Sequence, residues 1–219
     1  MDYTFHWRPV FRQLPELLQA ALVTLEVAIL SMLLGIVIGL LLALARMNGP
    51  KALRWPATVW VELARNTPAL FQLFFFGFGL GAFGINMTPY AIVLVGLSFN
   101  NAGYLAENFR GGFQAVPITQ LRAARSLGMT ATQAYVRVVI PQVLRIVYYP
   151  MTNQMVWAVL MSSLGMLVGF RELSGETQFF ASKTYRIFEY FAVTAVIYYV
   201  IVKIMLGLSR LIGWRLFRY

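Results

Sequence analysis

Long apolar runs separated by short polar stretches dominate the chain, and this pattern predicts helices that cross a membrane. A transmembrane helix needs about 20 mostly apolar residues. Stretches of this kind cover residues 17–45, 57–83, 90–109, 146–170 and 190–212, and the fourth contains no charged residue. We therefore predict an all-α membrane protein, with residues 1–219 forming a single transmembrane domain of five spanning helices and the termini on opposite sides.

The composition points the same way. Hydrophobic residues make up 59% of the 219 residues and charged residues 12%, and the mean hydropathy is +0.68. A soluble domain of this size could not bury so much apolar side chain, which excludes an ordinary soluble enzyme. The net charge of +10 is more typical of cationic cytoplasmic loops than of a protein that binds nucleic acid, so we expect the lipid bilayer, and no nucleic acid, as a partner.

Few groups are available for catalysis or metal binding. The chain contains no cysteine and one histidine, His6, so disulfides, thiolate ligands and multi-histidine metal sites are excluded. An intramembrane enzyme would need reactive groups that converge within the bilayer, whereas the carboxylates lie near the ends of the predicted spans. No Gly-x-x-x-x-Gly-Lys-Ser/Thr motif for nucleotide phosphates occurs. We predict no catalytic residue, no metal site and no cofactor in this chain.

The opening residues 1–16 do not resemble a cleavable signal peptide. They carry Asp2, Arg8, Arg12 and Glu16, and no small-residue cleavage site follows a short apolar core. We expect this segment to lie along the membrane surface as a short amphipathic piece.

Lysine and arginine are distributed unevenly between the two sides of the predicted bundle. Cytoplasmic loops carry an excess of these residues. One side holds eleven of them: Arg46, Lys51, Arg54, Arg110, Arg122, Arg125, Arg137, Arg145, Arg210, Arg215 and Arg218. The other side holds five: Arg8, Arg12, Arg171, Lys183 and Arg186. This asymmetry predicts an N terminus outside the cell and a C terminus in the cytoplasm.

The one long loop, residues 111–145, is predicted to contain two short helices. The first covers 119–128 and is stopped by Gly128. The second begins after Thr130, a good N-cap, and is expected to end at Pro141. The pattern alone allows two interpretations, a helix pair on the membrane surface or a protrusion that docks a soluble partner.

Charged residues inside the predicted spans are expected to form structural ion pairs. Glu62 and Arg65 are three residues apart, as are Glu107 and Arg110, so each pair shares a helix face. Asn66-Thr67-Pro68 should kink or break the second span, and broken helices can line a substrate path.

Several motifs in this chain are similar to segments of one known family. Arg122-Ala-Ala, followed by Gly128 and Pro141, resembles the cytoplasmic Glu-Ala-Ala loop of the permease subunits of bacterial ABC importers for polar amino acids, of the histidine, glutamine and glutamate type. Glu62–Phe74, which reads ELARNTPALFQLF, and Asn101–Gly112, which reads NAGYLAENFRGG, resemble longer family segments. Arg171-Glu-Leu and residues 180–185 match the region before the last helix, so the likeness covers roughly residues 15–215.

The resemblance implies a type I ABC importer permease fold and a set of partners. These are a second permease subunit, two ABC ATPase subunits that bind ATP and Mg²⁺, and an external amino acid binding protein. It also implies that the loop helix enters a groove on an ATPase, with residues 126–133 buried there. The coupling residues would be Arg122, Ala123, Ala124, Ser126, Leu127, Gly128, Met129 and Thr130. Arg122 replaces the family glutamate, so that glutamate's contact with the ATPase must differ in this chain.

The resemblance also suggests a substrate path. Relatives that hold an amino acid in the membrane carry Lys-Asp-Thr-Ser where this chain has Leu160, Met161, Ser162 and Ser163. The candidates for the path are Ser98, Asn100, Gln154, Met161 and Ser162. Asn100, Gln154 and Ser162 offer neutral donors and acceptors but no fixed charge, which argues against a tight site for a cationic substrate.

We therefore expect one half of a heterodimeric permease in the bacterial inner membrane, with a homodimer as the alternative. The identity of the amino acid does not follow from the sequence. An ATP-independent channel and a structural scaffold subunit are the competing functions, and transport with and without ATP would distinguish them.

Overall fold

The computed structural model describes residues 3–217, and among them every regular element is helical. Asp2 and Arg218, both named in the sequence analysis above, lie outside the described residues. The α-helices are α1 Arg8–Arg12, α2 Leu14–Asn48, α3 Lys51–Asn66, α4 Ala69–Phe74, α5 Pro89–Ala115, α6 Ile118–Ser126, α7 Ala131–Ala134, α8 Ile140–Met161, α9 Leu173–Thr184 and α10 Ile187–Leu216. Two π turns, Phe75–Gly79 and Tyr135–Val139, and two 3₁₀ segments, Leu80–Phe83 and Ser162–Val168, extend α4, α7 and α8.

Three helical stretches in the described part of the chain are long and apolar enough to cross a membrane by themselves. They are Leu14–Asn48, Ala131–Val168 and Ile187–Leu216, and Ala69–Phe83 is a shorter apolar helix. The predicted all-α membrane architecture is confirmed. The positions of five spans in a bilayer remain a prediction.

The predicted span 57–83 is not one helix. Helix α3 ends at Asn66, and Thr67 has an extended backbone with φ −117° and ψ 145°. A residue that precedes proline disfavours the helical conformation, so Pro68 forces the chain out of the helix before α4 begins. The break predicted at Asn66-Thr67-Pro68 is confirmed.

Helix α5 lies at the centre of the bundle and packs against α2, α3, α4 and α8. Its contact with α2 is close because Gly35 and Gly39 face it one turn apart. A Cβ added at Gly35 would lie 2.7 Å from Asn101 Cβ, and one at Gly39 would lie 2.9 Å from the Ala102 carbonyl oxygen. Small residues at this spacing let two helix backbones approach, so α2 and α5 form a tightly packed pair.

The segment after Gly128 differs from the prediction at its far end. The expected stop at Pro141 is wrong, because the helical path continues from Ala131 through Pro141 to Met161. The wider π turn Tyr135–Val139 precedes the proline, so Pro141 falls in the first turn of a new α segment, where its missing N–H is tolerated. The predicted loop 111–145 therefore consists largely of the end of α5, helix α6 and the beginning of this long helix.

Helix α9, which the sequence analysis does not predict, is attached to the bundle through Glu172. This carboxylate is fully buried and caps α9 by accepting from the backbone N–H groups of Ser174, at 2.8 Å, and Gly175, at 3.0 Å. Its other oxygen accepts from the Thr24 and Tyr198 hydroxyls, both at 2.8 Å. One side chain thus connects α9 to α2 and α10.

The opening segment is short and attached to the start of α10. The backbone N–H of His6 donates to Glu189 at 2.9 Å, and the Tyr3 hydroxyl donates to the same carboxylate. Arg186 donates to the Thr4 carbonyl oxygen at 2.9 Å. The segment contains the short helix α1, and the predicted position of this segment on a membrane surface remains a prediction.

Candidate functional site

The break between α3 and α4 is held open by two amide side chains. The Gln72 amide nitrogen donates to the Ala64 carbonyl at 2.9 Å, the Thr67 carbonyl at 3.1 Å and the Thr67 hydroxyl at 2.9 Å. Asn100 on α5 donates to the same Ala64 carbonyl at 3.1 Å and to Gln72 Oε1 at 3.0 Å. These hydrogen bonds satisfy backbone carbonyl groups that a continuous helix would have paired, so side chains of the protein stabilise the break.

A cavity of about 550 Å³ lies beside this break, between α3, α4, α5 and α8. A volume of this size suits a small molecule. Its lining combines the broken turn with polar and aromatic side chains of α5 and α8: Arg65, Asn66, Thr67, Pro68, Ala69, Leu97, Asn100, Asn101, Tyr104, Gln154, Trp157, Ala158 and Met161.

A chain of hydrogen bonds runs from the cavity wall to α2. Gln154 on α8 donates to Asn101 Oδ1 at 2.9 Å, and Asn101 donates to the Ser31 hydroxyl on α2 at 3.2 Å. All three side chains are buried. Because the chain joins three helices, it fixes the position of Gln154 relative to α5.

Five residues were predicted to form the substrate path, and the structure brings three of them together. Asn100, Gln154 and Met161 line the cavity. Ser98 and Ser162 do not: their hydroxyls donate to the backbone of their own helices, Ser98 to Leu94 at 2.6 Å and Ser162 to Val159 at 2.8 Å. Sequence reasoning missed Asn101, Tyr104 and Trp157, which lie on the same helices as the predicted residues.

The two predicted ion pairs have different outcomes. Arg110 binds Glu107 with 2.7 Å between Nη2 and Oε2, as expected. The Glu62–Arg65 pair is wrong. Glu62 accepts from Asn66 at 2.6 Å, and Arg65 reaches across to α5, where its Nη1 lies 3.7 Å from Glu107 Oε2. The long arginine side chain finds a carboxylate on the neighbouring helix, which an i, i+3 rule cannot detect.

Glu107 is the centre of a larger cationic cluster. Besides Arg110 and Arg65 it accepts a hydrogen bond from Arg46 at the end of α2. Three guanidinium groups from three helices thus share one carboxylate. The cluster carries a net positive charge and lies next to the cavity through Arg65, which also lines it.

A second candidate region is the exposed turn between α6 and α7. Gly128 has a φ of +83°, which L side chains rarely adopt, and Met129 N–H donates back to the Ala124 carbonyl at 3.3 Å. Thr130 caps α7 in a reciprocal arrangement with Gln133: the Gln133 N–H donates to the Thr130 hydroxyl, and the Thr130 N–H donates to the Gln133 side chain. The predicted helix stop and cap are confirmed.

The predicted coupling residues form one surface around this turn. Leu127 is 81% exposed, more than any other leucine among residues 3–217. Ala124 is buried, and Met129 is half-buried, whereas the rest are exposed: Arg122, Ala123, Ser126, Gly128 and Thr130. Their contact with a partner remains a prediction.

Solved structures with the same architecture are known. The chain has a TM-score of 0.91 and 31% identity to the chain of a crystal structure of an amino acid ABC transporter with histidines, covering 97% of this chain and 100% of that one. An inward-facing MetNI methionine ABC transporter gives a TM-score of 0.73 at 21% identity, with 91% and 95% covered, which is a likeness of fold.

Curated relatives cover nearly the whole chain. It is 32% identical over 203 residues to the probable amino-acid ABC transporter permease protein YckA of Bacillus subtilis, covering 93% of this chain and 90% of the relative. It is 31% identical over 189 residues to the probable glutamine ABC transporter permease protein GlnM of the same organism, covering 86% and 88%.

The relatives that match nearly the whole chain are permease proteins of ABC transporters, and together with the all-helical architecture they identify this chain as a membrane permease subunit and not an enzyme. The chain belongs to the family of binding-protein-dependent transport system inner membrane components, whose model matches residues 35–218.

Proposed function

We propose that this chain is a permease subunit of an ATP-driven importer that moves a polar amino acid across the bacterial inner membrane. The observation that carries the proposal is the rigid, exposed turn at Gly128, which continues through α7 into α8 and so to the cavity wall. The relatives named for amino-acid transport support the substrate class. Conformational coupling of this kind needs a two-state bundle and a partner that supplies energy.

The energy would come from separate ATPase subunits that bind ATP and Mg²⁺. Leu127 offers an apolar side chain to a groove, and the small exposed side chain of Ala123 lets another backbone come near. The capping pair of Thr130 and Gln133 keeps the turn rigid, so that motion of an ATPase is transmitted to the helices and not lost in a loop.

Replacing Gly128 tests this coupling. Gly128→Val forces a β-branched residue into a left-handed backbone, at a cost of about 1–2 kcal/mol, and should reshape the turn. We expect the assembled transporter to lose most of its ATP-dependent uptake in proteoliposomes and its substrate-stimulated ATPase activity. Gly128→Asn, which tolerates this backbone, should retain both.

The matched control is Gly111→Ala. Gly111 lies in helix α5, with open space around an added Cβ, and its substitution should leave uptake unchanged. Normal uptake by Gly128→Val in a correctly inserted complex would refute docking through this turn.

The proposed orientation places the N terminus outside and the Gly128 turn in the cytoplasm. The native chain contains no cysteine, so a single introduced thiol reports its own side. Leu127 and Phe83 are 81% and 80% exposed. In cells that express the permease without its ATPases, which would cover Leu127, a membrane-impermeant maleimide should label Phe83→Cys in intact cells and Leu127→Cys only after permeabilisation. The reverse pattern would invert the topology.

A second permease subunit and an external binding protein complete the proposed assembly. This chain has Leu160 and Met161, of which Met161 lines the cavity, at the positions where the resemblance places charged residues in some relatives, and this supports a different partner chain. Purification of a tagged copy should recover a second permease chain. Recovery of this chain alone would establish a homodimer instead.

A further inference from the structure

The cavity lining is nearly neutral. Among residues 3–217, Arg65 is the one charged side chain that lines the cavity, and its side chain is 41% exposed. The remaining walls are amides, the hydroxyls of Thr67 and Tyr104, aromatic rings and aliphatic groups. A substrate carboxylate would therefore meet one cationic partner here, and a substrate cation would meet no carboxylate.

The positive charge of Arg65 is only weakly compensated. Its Nη1 lies 3.7 Å from Glu107 Oε2, whereas Arg110 Nη2 lies 2.7 Å from the same atom and Arg46 binds the other oxygen. One carboxylate cannot neutralise three guanidinium groups. Arg65 makes the longest of the three contacts, and its guanidinium lies 5.7 Å from the centre of the Tyr104 ring, another lining residue. Five N–H donors in a planar fork suit a carboxylate.

The amides of the cavity present the opposite chemistry. The Asn100 amide nitrogen donates to both Ala64 and Gln72, so both of its hydrogens are used within the protein. Gln154 donates to Asn101. Their carbonyl oxygens, Asn100 Oδ1 and Gln154 Oε1, accept no hydrogen bond from the described residues and belong to side chains that line the cavity. Such oxygens can accept from an ammonium group.

We propose that Arg65 binds the α-carboxylate of the transported amino acid, that Asn100 and Gln154 accept from its α-ammonium group, and that the cavity selects an uncharged side chain. This inference rests on the proposed function and names its substrate class. A cationic side chain lacks a carboxylate partner in this lining, and an anionic one lacks a second cation. Leu97, Trp157 and Met161 offer apolar contact to the substrate's methylene groups.

The test is substrate binding to the purified complex of permease and ATPases without the binding protein, by saturation-transfer NMR. L-glutamine is compared with L-glutamine α-amide, which lacks the carboxylate, and with L-arginine and L-glutamate. We expect the wild type to bind glutamine about tenfold more tightly than its α-amide, as a charge-assisted hydrogen bond predicts. Glutamine should also bind more tightly than arginine or glutamate.

Three variants separate substrate contact from structural support. Arg65→Gln should bind glutamine and its α-amide within about twofold of each other, because the charge that distinguishes them is gone. Arg110→Gln also removes a partner of Glu107 but lies outside the cavity lining, and it should keep the tenfold preference. Arg65→Lys retains the positive charge and should keep part of the preference for glutamine over its α-amide.

Three results would overturn the inference: equal binding of glutamine and its α-amide by the wild type, an unchanged preference in Arg65→Gln, or equal loss in Arg110→Gln. The first can be read even where a variant does not assemble. ATP-dependent uptake of amino acids by the full transporter, measured alongside, keeps the proposed function separate. Uptake without carboxylate preference rejects only the role of Arg65, whereas no ATP-dependent uptake rejects the function itself.

Discussion

Glu172 and Gln154 are both polar side chains buried between helices, and the protein uses their atoms differently. Glu172 is 0% exposed, and its two oxygens accept four hydrogen bonds from Thr24, Tyr198 and the first turn of α9. Gln154 is 9% exposed, donates once to Asn101, and lines the cavity. Every hydrogen bond of Glu172 holds helices of this protein together. Gln154 has a carbonyl oxygen left to accept a hydrogen bond from another molecule.

This difference between Glu172 and Gln154 indicates which buried polar groups stabilise the fold and which are available to bind a ligand. A buried group whose partners are all within the protein is costly to remove, because those partners then remain unsatisfied. A group at a cavity wall with a remaining acceptor contributes less to folding and more to recognition. The predictions below test that division, ordered from the largest expected effect on stability to the smallest.

Glu172→Ala should be the most destabilising of these changes. It leaves two backbone N–H groups of α9 and the hydroxyls of Thr24 and Tyr198 without their acceptor. We expect the free energy of unfolding in detergent to fall by about 3 kcal/mol. A loss below about 1 kcal/mol would mean that α9 is held by other contacts.

The pH dependence of stability should change in Glu172→Gln. Burial raises the pKa of the Glu172 carboxyl above its ordinary value, so the folded protein binds this proton more tightly than the unfolded chain. The stability that this protonation adds is complete below the unfolded pKa and is lost as the pH rises through the folded one.

Glutamine is neutral throughout and nearly isosteric, so the difference in stability between wild type and Glu172→Gln should vary with pH. Relative to the variant, the wild type should be stabilised as the pH falls. Unfolding of both from about pH 8 to about pH 4 measures this. If the stabilities of the wild type and Glu172→Gln changed in parallel with pH, the raised pKa of Glu172 would be contradicted.

Tyr198→Phe should have a moderate effect. Its hydroxyl lies 2.8 Å from Glu172 Oε2 and 2.9 Å from Ser174 Oγ, and Glu172 keeps three other donors after its removal. We expect a loss of about 1 kcal/mol in the free energy of unfolding. Glutamine binding should be unchanged, and a binding defect would show that α9 and the cavity are not separable.

Gln154→Leu should affect stability least and binding most. The substitution keeps the volume and leaves one acceptor, Asn101 Oδ1 at the cavity wall, without its donor, so the loss of stability should be about 1 kcal/mol, at the low end for an unsatisfied group. Glutamine affinity of the complex should fall about tenfold with the loss of an acceptor for the ammonium group. If Gln154→Leu unfolded more easily than Tyr198→Phe, Gln154 would contribute more to stability than the Tyr198 hydroxyl that binds Glu172 does, contrary to the comparison above.

The sequence predicted those parts of the fold that depend on local pattern. Apolar length alone places α2 and α10, proline chemistry explains the break at Thr67, and Gly128 with Thr130 defines the exposed turn. The prediction that a helix ends at Pro141 was wrong because the π turn before this proline lets the helix continue, and no sequence pattern indicates a π turn. Helix α9 was missed because its capping carboxylate is stabilised by Thr24 and Tyr198, which are far away in the chain.

The cavity lining was predicted only in part, because it also depends on how separate helices pack. Asn100, Gln154 and Met161 were identified from positions in single helices, and they meet because α5 and α8 pack side by side. The rotation of each helix about its axis decides which neighbours also face inward, and this comes from interhelical packing. Arg65 was paired within its own helix, although its side chain is long enough to reach Glu107 on another.

The unbroken helical path from Ala131 to Met161 has a mechanical consequence. At 1.5 Å per residue, Gln154 lies about 35 Å along this rod from its exposed end. A tilt of about 5° around that end would displace the Gln154 side chain by about 3 Å, roughly the diameter of a water molecule. Leverage of this kind converts a small rotation at one surface into a gap at the other, without bending any helix.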